Sequence, residues 1–460
     1  MKPGSDQTIL EPARRVPVYG TCDVLVVGGG PAGTAAAVAA ARQGADVILM
    51  ERYGHLGGLS TGGLVVWIDR MTDWDGRLVV GGIGEELMDR CASQEGGLVG
   101  PPRADWGSHD PALTGYWGVR SSAHRDTVTW APTVDPEILK FSSIDIVREG
   151  KIHLLFHAWA VAPIQEGSRV GGIIFESKEG RQALRARVTI DCTGDGDIFA
   201  AAGASFESEI DGTSIHALMS TAFRMGNVDG PRYFKFRETE PEAFNALLRQ
   251  ADAAGVQLRP GVLPMNDQVI VMHPKYAGYS AIKVADLTAV ELRARDDMRA
   301  GLAWFRQHMP GFERAYILDT ASQIGVRHSR RLAGVSRVTI DQWRADGGAH
   351  DSVGLCPGLT PAYPTLQIPY GCLVPPSIDG VLVAGRNLSC DPQSHNPLRE
   401  VPECWVMGQA VGVAAAEAIT ANVPVQQVSV PTLQAALRKQ GALIDRPGES
   451  VTVPQPIPAR

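Results

Sequence analysis

The sequence has few cysteines, and no two of them have the spacing of a metal or redox motif. Seven cysteines occur among 460 residues, and none forms a CxxC pair. This absence argues against a zinc ribbon, a thioredoxin-like pair and a disulfide framework. We therefore expect reduced thiols, no metal site and a cytoplasmic protein.

A long basic run and an uninterrupted apolar run are also absent. Lys and Arg number 43 against 50 Asp and Glu, and the net charge of −7 disfavours general nucleic-acid binding. Residues 1–17 are polar and lack the apolar core of a secretory signal. Residues 24–41 carry no charge, but Gly28, Gly29, Gly30 and Pro31 would break a membrane helix there. We expect neither a nucleic-acid partner nor a membrane partner.

The chain is instead rich in apolar residues and glycine. Hydrophobic residues make up 44% and charged residues 20%, which supports a large buried core and excludes a mainly disordered chain. Glycine accounts for 51 of 460 residues, above the usual share of about 7%. So many glycines indicate tight turns and close approach of the backbone to a ligand.

A glycine-rich turn lies between a predicted strand at 22–27 and a predicted helix at 34–43, and a second strand follows at 46–50. Gly28, Gly30 and Gly33 have GxGxxG spacing. In this motif they permit a sharp turn, let a pyrophosphate reach the backbone, and let the helix pack on the strand. Glu51 follows Gly33 by 18 residues, where a carboxylate accepts ribose hydroxyls. The pattern predicts a dinucleotide site and leaves NAD or FAD open.

Several later segments resemble a known family and appear in its order. They are ERYGHLGG (51–58), DCTGDGD (191–197), IGVRHSRRLAG (324–334), VLVAGRNLS (381–389) and MGQAVGVAAA (407–416). Together with the glycine turn, they make the chain similar to FAD-dependent oxidoreductases of the glutathione-reductase-like superfamily. These proteins are distantly related to fumarate reductases and ketosteroid dehydrogenases.

The resemblance implies an α/β fold. We expect an FAD/NAD(P)-binding three-layer fold with a parallel sheet and a β-meander, together with an interleaved α+β substrate or cap domain. The FAD-binding domain would comprise residues 18–75, 141–205 and 321–425. An irregular Trp-rich insertion would cover 76–140, the substrate or cap domain 206–320, and a C-terminal tail 426–460.

The resemblance also implies contacts with the cofactor FAD. The expected contacts are Gly28, Gly30, Pro31, Ala32, Gly33, Glu51, Arg52, Gly57, Gly58, Ala160, Thr193, Gly194, Asp195, Gly385 and Arg386. Gln409 and Ala410 are expected at the N-terminus of a helix predicted at 405–419, facing the pyrimidine edge of the flavin. A helix N-terminus stabilises negative charge on a reduced flavin, and the small residues of this helix would admit a flat ring.

Two residues before that helix are candidates for the chemistry. His395 is a candidate base, and Arg399, which matches an Arg position in the family, would bind a carboxylate or steady an oxyanion. Alternatively, His395 and Arg399 only fix the conformation of the loop. His55 and Cys390 are either covalent attachment points for FAD or packed side chains. The tryptophans of the insertion either wall a planar substrate or pack a loop-rich segment: Trp67, Trp74, Trp106 and Trp117.

The expected function is that of an FAD-dependent dehydrogenase. It would transfer a hydride from a small organic substrate to flavin N5 and pass electrons to an acceptor that the sequence does not name, with a homodimer expected from general frequency. The turn Ala384-Gly385-Arg386 departs from the AGD turn of hydroxybenzoate-type hydroxylases. A disulfide reductase would need a CxxxxC pair and a second GxGxxG, and both are missing. A flavin-dependent monooxygenase, a thiazole-synthase-like non-redox enzyme and a flavin-binding sensor remain alternatives.

Overall fold

The computed structural model describes residues 8–208, 218–264 and 268–448. Its helices are α1 (Pro31–Arg42), α2 (Ile83–Ala92), α3 (Pro111–Gly118), α4 (Pro136–Glu149), α5 (Asp197–Ala201), α6 (Gly230–Thr239), α7 (Pro241–Ala253), α8 (Val284–His308), α9 (Ile340–Ala345), α10 (Pro392–Leu398), α11 (Val401–Ala421) and α12 (Val430–Lys439). The part of the predicted C-terminal tail from 449 to 460 lies outside the described residues.

The strands are β1 (Val18–Val27), β2 (Val47–Met50), β3 (Leu98–Val99), β4 (Ala123–His124), β5 (Thr127–Val128), β6 (Thr133–Val134), β7 (His153–Leu155), β8 (Trp159–Glu166), β9 (Arg169–Ser177), β10 (Gly180–Asp191), β11 (Phe206–Glu207), β12 (Met219–Ser220), β13 (Phe223–Gly226), β14 (Pro260–Pro264), β15 (Ile270–Met272), β16 (Tyr316–Thr320), β17 (Gly325–Val326), β18 (Arg331–Leu332), β19 (Ser352–Cys356), β20 (Leu366–Pro369) and β21 (Val381–Val383).

The main sheet joins parallel strands to an antiparallel meander. Its order is β7-β2-β1-β10-β9-β8, with β21 also paired to β10. Strands β7, β2, β1, β10 and β21 are parallel, whereas β9 and β8 run antiparallel. The long strand β10 pairs with β9 through its first half and with β21 through its last three residues. This arrangement confirms the predicted α/β fold. Strands β7 and β8 are close together in the sequence but lie at opposite edges of this sheet.

Helices α1 and α11 pack closely together. A Cβ at Gly408 would overlap the carbonyl oxygen of Ala32, and one at Gly412 would overlap that of Ala36. Helix α11 is long and apolar enough to span a membrane, but 78% of its apolar window is buried inside the protein. It is therefore a core helix. Its small residues admit α1, which corrects the expectation that they admit a flat ring.

A second core lies within residues 219–327, called the second region below. It contains an antiparallel sheet of order β14-β15-β13-β16. Phe223 of β13, Tyr233 of α6 and Phe305 of α8 are buried together in it. The predicted substrate domain covers most of this segment. Its exact boundaries stay a prediction, and residues 209–217 and 265–267 lie outside the described chain.

The stretch 76–140, predicted to be an irregular insertion, contains helices α2 and α3. Ile83, Leu87, Met88 and Cys91 of α2 are fully buried in the main core. Helix α2 has an apolar face that repeats every three or four residues, although glycine and charged residues lie between its apolar positions. Part of this segment is therefore core rather than insertion.

Candidate functional site

A cavity of about 540 Å³ opens where the parallel strands end and the second region begins. Val27, Met50, Cys192 and Ala384 line it at the carboxyl ends of β1, β2, β10 and β21. Ligands of open α/β sheets bind at this edge, and the volume lies in the usual range of about 300–1,000 Å³ for small-molecule sites. The second region completes the wall through residues near β12, β14, β15 and β17.

The three motif glycines have different reasons to be glycine. Gly28 has φ +103°, and a Cβ there would overlap the carbonyl oxygen of Cys192. A Cβ on Gly33 would overlap the carbonyl oxygen of Gly28. Gly30 differs, because the nearest atom to its Cβ would be Gly58 Cα at 3.9 Å, and Gly30 lines the cavity. Protein packing thus requires the outer two glycines, whereas the middle one leaves room in the cavity.

The first turn of α1 presents free backbone donors beside this space. Gly30 is the N-cap residue and supplies no side-chain cap, and the helix begins with Pro31. Pro31 and Ala32 both line the cavity. Unpaired N–H groups and the positive end of the helix dipole form an anion site at such a terminus. The arrangement suits a pyrophosphate.

The residues predicted to hold adenosine all border the cavity. Glu51 accepts hydrogen bonds from Gly29 N (2.6 Å) and Tyr53 N (2.9 Å), one on each oxygen. Each carboxylate oxygen has a second lone pair, so both can still accept a ribose hydroxyl. The Arg52 guanidinium lies over the Trp159 ring at 5.3 Å, and Ala160 lines the cavity beside it. Their contacts with FAD stay predictions.

Asp195 and Arg386 form a buried ion pair at the cavity wall. Asp195 Oδ1 accepts from Arg386 Nη2 at 2.7 Å and from Ser329 Oγ at 2.8 Å. Burial favours protonated Asp195, but Arg386 and Ser329 outweigh it and the pKa of Asp195 is lowered. Gly194 has φ +76°, and a side chain there would press on the Arg386 guanidinium. Thr193 and Gly385 line the cavity with this pair, as the sequence predicts.

Two predicted contacts lie behind the wall instead of on it. Gly33 faces Gly28, as described above, and Gly57 donates from its N to Gly29 O at 2.8 Å. A Cβ on Gly57 would overlap Thr61. Gly57 therefore shapes the loop, while its neighbour Gly58 reaches the cavity.

The placement of Gln409 and Ala410 at a helix N-terminus is wrong. Helix α11 begins at Val401, so Gln409 lies in its third turn. Gln409 accepts from Ile83 N at 3.1 Å and donates to Gln440 O at 3.1 Å, away from the cavity. Pro402, which suits a first helical turn, is the sequence signal for the earlier start.

His395 is not placed as a base in the cavity. It lies on the short helix α10, is fully buried, and approaches the Arg386 carbonyl oxygen through Nε2 at 2.7 Å. A carbonyl only accepts, so this nitrogen carries the proton. Burial lowers the pKa of His395 well below its usual value. The residue is a neutral imidazole that supports the turn at Arg386, because α10 directs it inward.

Arg399 and Glu400 take the place expected for His395. Both line the cavity directly before α11, and Arg399 Nη2 lies 3.0 Å from Glu400 Oε1. The Glu400 side chain is only 18% exposed and accepts no bond from the helix that it precedes. Burial raises the pKa of Glu400, although Arg399 and Arg327 oppose the shift. An acid beside Arg399 just before a helix was the sequence signal for it.

The second region contributes polar residues that sequence reasoning largely missed. The cavity is lined there by Arg259, His273, Lys275, Gln323 and Arg327. Of the three arginines in the segment 324–334, only Arg327 lines the cavity. Arg330 pairs with Asp197 at 3.0 Å, and Arg331 pairs with Glu207 at 3.0 Å.

The tryptophan wall and the covalent attachment points are mostly absent from the cavity. Of the four tryptophans, only Trp67 lines it. Trp106 stacks on Trp130 at 4.8 Å, and Trp74 donates to Gly358 O at 2.8 Å. His55 and the buried Cys390 do not line the cavity. Within the described ranges, no three His, Cys, Asp or Glu side chains are grouped to hold a metal ion.

Comparison with known proteins identifies a family for this chain. The sequence matches the family described as FAD dependent oxidoreductase over residues 23–437. Among solved structures, the chain is similar to a geranylgeranyl bacteriochlorophyll reductase-like protein from Thermoplasma acidophilum, with 16% identity, 91% of this chain and 83% of that chain covered, and a TM-score of 0.45.

It is also similar to a myxobacterial chondrochloren halogenase, with 12% identity, 92% and 79% coverage and a TM-score of 0.45. A p-nitrophenol 4-monooxygenase from Pseudomonas putida is similar as well, with 14% identity, 91% of this chain and 84% of that chain covered, and a TM-score of 0.39. No curated protein matches the chain. The family match spans most of the sequence and includes the glycine turn, which confirms the predicted cofactor: this chain belongs to the FAD-dependent oxidoreductase family and uses FAD.

Proposed function

We propose that this protein is an FAD-dependent dehydrogenase of the glutathione-reductase-like superfamily, and that Glu400 accepts a proton from its substrate. The position of Glu400 carries the proposal. Its carboxyl group lies at the cavity, mostly out of water, and takes no part in capping α11. Glu400 pairs with the adjacent Arg399 at 3.0 Å but makes no capping bond, and a carboxyl so placed at a ligand cavity is suited to proton transfer.

The residues present fit FAD. Gly30 leaves space where a side chain would fill the cavity, α1 offers unpaired N–H groups, and Glu51 retains lone pairs for ribose. When bound, FAD supplies the acceptor for a hydride.

The chain's own groups would prepare the substrate. Burial raises the pKa of Glu400, which brings the carboxyl closer to a working pH near neutrality. Arg399, at 3.0 Å, orients the carboxylate and opposes complete neutralisation. Arg399 also receives a fixed position from its hydrogen bond to Asn396 Oδ1 at 2.8 Å. The second region closes the remaining side of the cavity and would exclude water.

The reaction class is tested by mixing the oxidised holoenzyme anaerobically with a panel of small alcohols, amines and hydroxy acids. A dehydrogenase is expected to lose its flavin absorbance with at least one compound and no nicotinamide cofactor. Bleaching only by NADH or NADPH, followed by oxygen-dependent hydroxylation, would identify a monooxygenase instead. A bound adenylated product would favour the thiazole-type alternative, and no reduction by any compound would favour a sensor.

The role of Glu400 is tested by Glu400→Gln. Losing a positioned base should slow flavin reduction about 100-fold or more, with unchanged flavin content. Glu417→Gln is the matched control, since Glu417 lies near the other end of the same helix and away from the cavity. Equal rates in wild type and Glu400→Gln, across pH 6 to 9, would show that another group accepts the proton.

A further inference from the structure

Strand pairing in the second region brings three cationic side chains to one part of the cavity wall. Pro260 of β14 is paired with Met272 of β15, which places Arg259 beside His273. Met219 of β12 is bridged to Tyr276 on one side and paired with Val326 of β17 on the other. Lys275 and Arg327 are the chain neighbours of those two partners. We call Arg259, Lys275 and Arg327 the cationic wall.

The cationic wall has no acidic counterpart on its own side of the cavity. Among the described residues of the second region that line the cavity, three are cations and none is a carboxylate. Arg259 pairs at 2.6 Å with Asp252, which does not line the cavity. Lys275 forms no ion pair with any residue that the structure describes. A concave surface with this excess of positive charge attracts anions.

Three of the four carboxylates on the other side of the cavity are already in ion pairs, and the fourth, Glu51, accepts hydrogen bonds from Gly29 N and Tyr53 N. Asp195 pairs with Arg386 at 2.7 Å, Asp197 with Arg330 at 3.0 Å, and Glu400 with Arg399 at 3.0 Å. Glu400 also favours the charged form of Arg327, so Lys275 is the member of the cationic wall that forms no ion pair with any described residue.

Two neighbouring pKa values agree with crowding of positive charge. The pKa of His273 is lowered to about 4 by burial, Arg327 and Lys275. The pKa of Lys275 is lowered by burial, Arg327 and Arg259. Burial is the larger cause of both shifts, the like charges add to it, and an anionic ligand would relieve the repulsion between them.

We propose that the substrate is a small organic anion, a carboxylate or a phosphate ester, whose anionic group binds the cationic wall. The inference rests on the proposed function only in calling this ligand the substrate. The cofactor's pyrophosphate has a site of its own at Gly30 and the first turn of α1. Lys275, the member of the cationic wall without an ion pair among the described residues, is therefore available for a second anion.

The test measures binding without turnover, so it is independent of the redox reaction. Isothermal titration calorimetry at low ionic strength compares benzoate with benzamide, succinate with succinamide, and both acids with inorganic phosphate, each added to the oxidised holoenzyme. At least one acid is expected to bind ten times more tightly than its amide, with affinity falling as salt is added. Tighter binding of phosphate would identify a phosphate ester as the substrate class, and tighter binding of an acid would identify a carboxylate.

The variant Lys275→Met locates the binding to the cationic wall. Losing one charge-assisted hydrogen bond should weaken anion binding about tenfold or more, and Lys275→Arg should restore most of it. Lys283→Met is the control, because Lys283 is exposed and lies outside the cavity. FAD content should stay at the wild-type level in all three variants.

Three results would overturn the inference. Amides that bind as tightly as their acids would remove the role of charge, and no binding by any of the anions would remove the site. A loss of FAD from Lys275→Met, with unchanged anion affinity in the remaining holoenzyme, would assign the cationic wall to the cofactor.

Discussion

The glycine turn and the cationic wall line different parts of one cavity and offer a ligand different groups. At the glycine turn a ligand would contact backbone atoms. Gly28 and Gly33 have to be glycine because nearby carbonyl oxygens leave no space for a Cβ. At the cationic wall the contacts are long side chains, with Lys275 largely exposed. Contacts from the backbone require one backbone conformation, whereas a long side chain can reach a ligand from several rotamers.

This difference explains why one part of the site has a sequence signature and the other does not. A tight strand-to-helix turn requires glycine at set intervals, and so the motif is visible in the sequence. Arg259, Lys275 and Arg327 lie far apart in the chain and meet only through strand pairing. Because these three residues have no fixed spacing in the sequence, no sequence pattern predicts that they lie together.

The largest effect is expected for Gly33→Ala. Its Cβ would overlap the backbone oxygen of Gly28, which cannot move without displacing β1 from α1. We expect the free energy of unfolding to fall by about 3 kcal/mol or more, or the protein to fail to fold. Chemical denaturation and soluble yield measure this. Gly115→Ala, in open space on α3, should change stability by less than about 1 kcal/mol. Equal stability of the two variants would contradict the strict packing of the turn.

Gly30→Val should act on the cofactor and spare the fold. Gly30 has φ −69° and ψ −173°, which valine adopts readily, and no protein atom lies closer than 3.9 Å to the added Cβ. We expect FAD affinity to fall about 100-fold, equivalent to ~2.7 kcal/mol. The ratio of visible to ultraviolet absorbance, with circular dichroism as the check on folding, measures it. A full complement of FAD in this variant would show that the ligand does not approach Gly30.

The smallest effect is expected for Asp195→Asn, which changes a charged contact. The loss of the ion pair should lower the free energy of unfolding by about 1–3 kcal/mol at pH 7. The pKa of Asp195 is lowered from 3.8 in the folded protein, so the carboxylate stabilises the fold above that value. This contribution is lost as the pH falls through the lowered pKa.

The difference in the free energy of unfolding between wild type and Asp195→Asn should therefore be constant from pH 5 to 8 and become smaller below pH 4. Urea denaturation at saturating FAD measures it across that range. Asp296→Asn, at an 81% exposed side chain on α8, is the control and should show little difference at any pH. A difference that widens on acidification would mean that Asp195 is protonated in the folded protein.

Local sequence patterns correctly predicted the strands and helices that depend on residues close together in the chain. The strands β1 and β2 and the helix α1 lie within a few residues of their predicted positions. The errors fall where the signal is long-range. Helix α11 begins before the predicted residue 405, and α10 was not recognised, so His395 was expected in a cavity that it does not reach.

The sequence by itself determined the glycine turn, the position of Glu51 and the FAD-dependent family, because each depends on residues close together in the chain. Only the tertiary structure decided which side chains face the cavity. It turned His395 inward, brought Glu400 to the wall, and assembled the cationic wall from Arg259, Lys275 and Arg327. The physical reason is that side-chain direction depends on helix starts and strand register, which packing of distant segments determines.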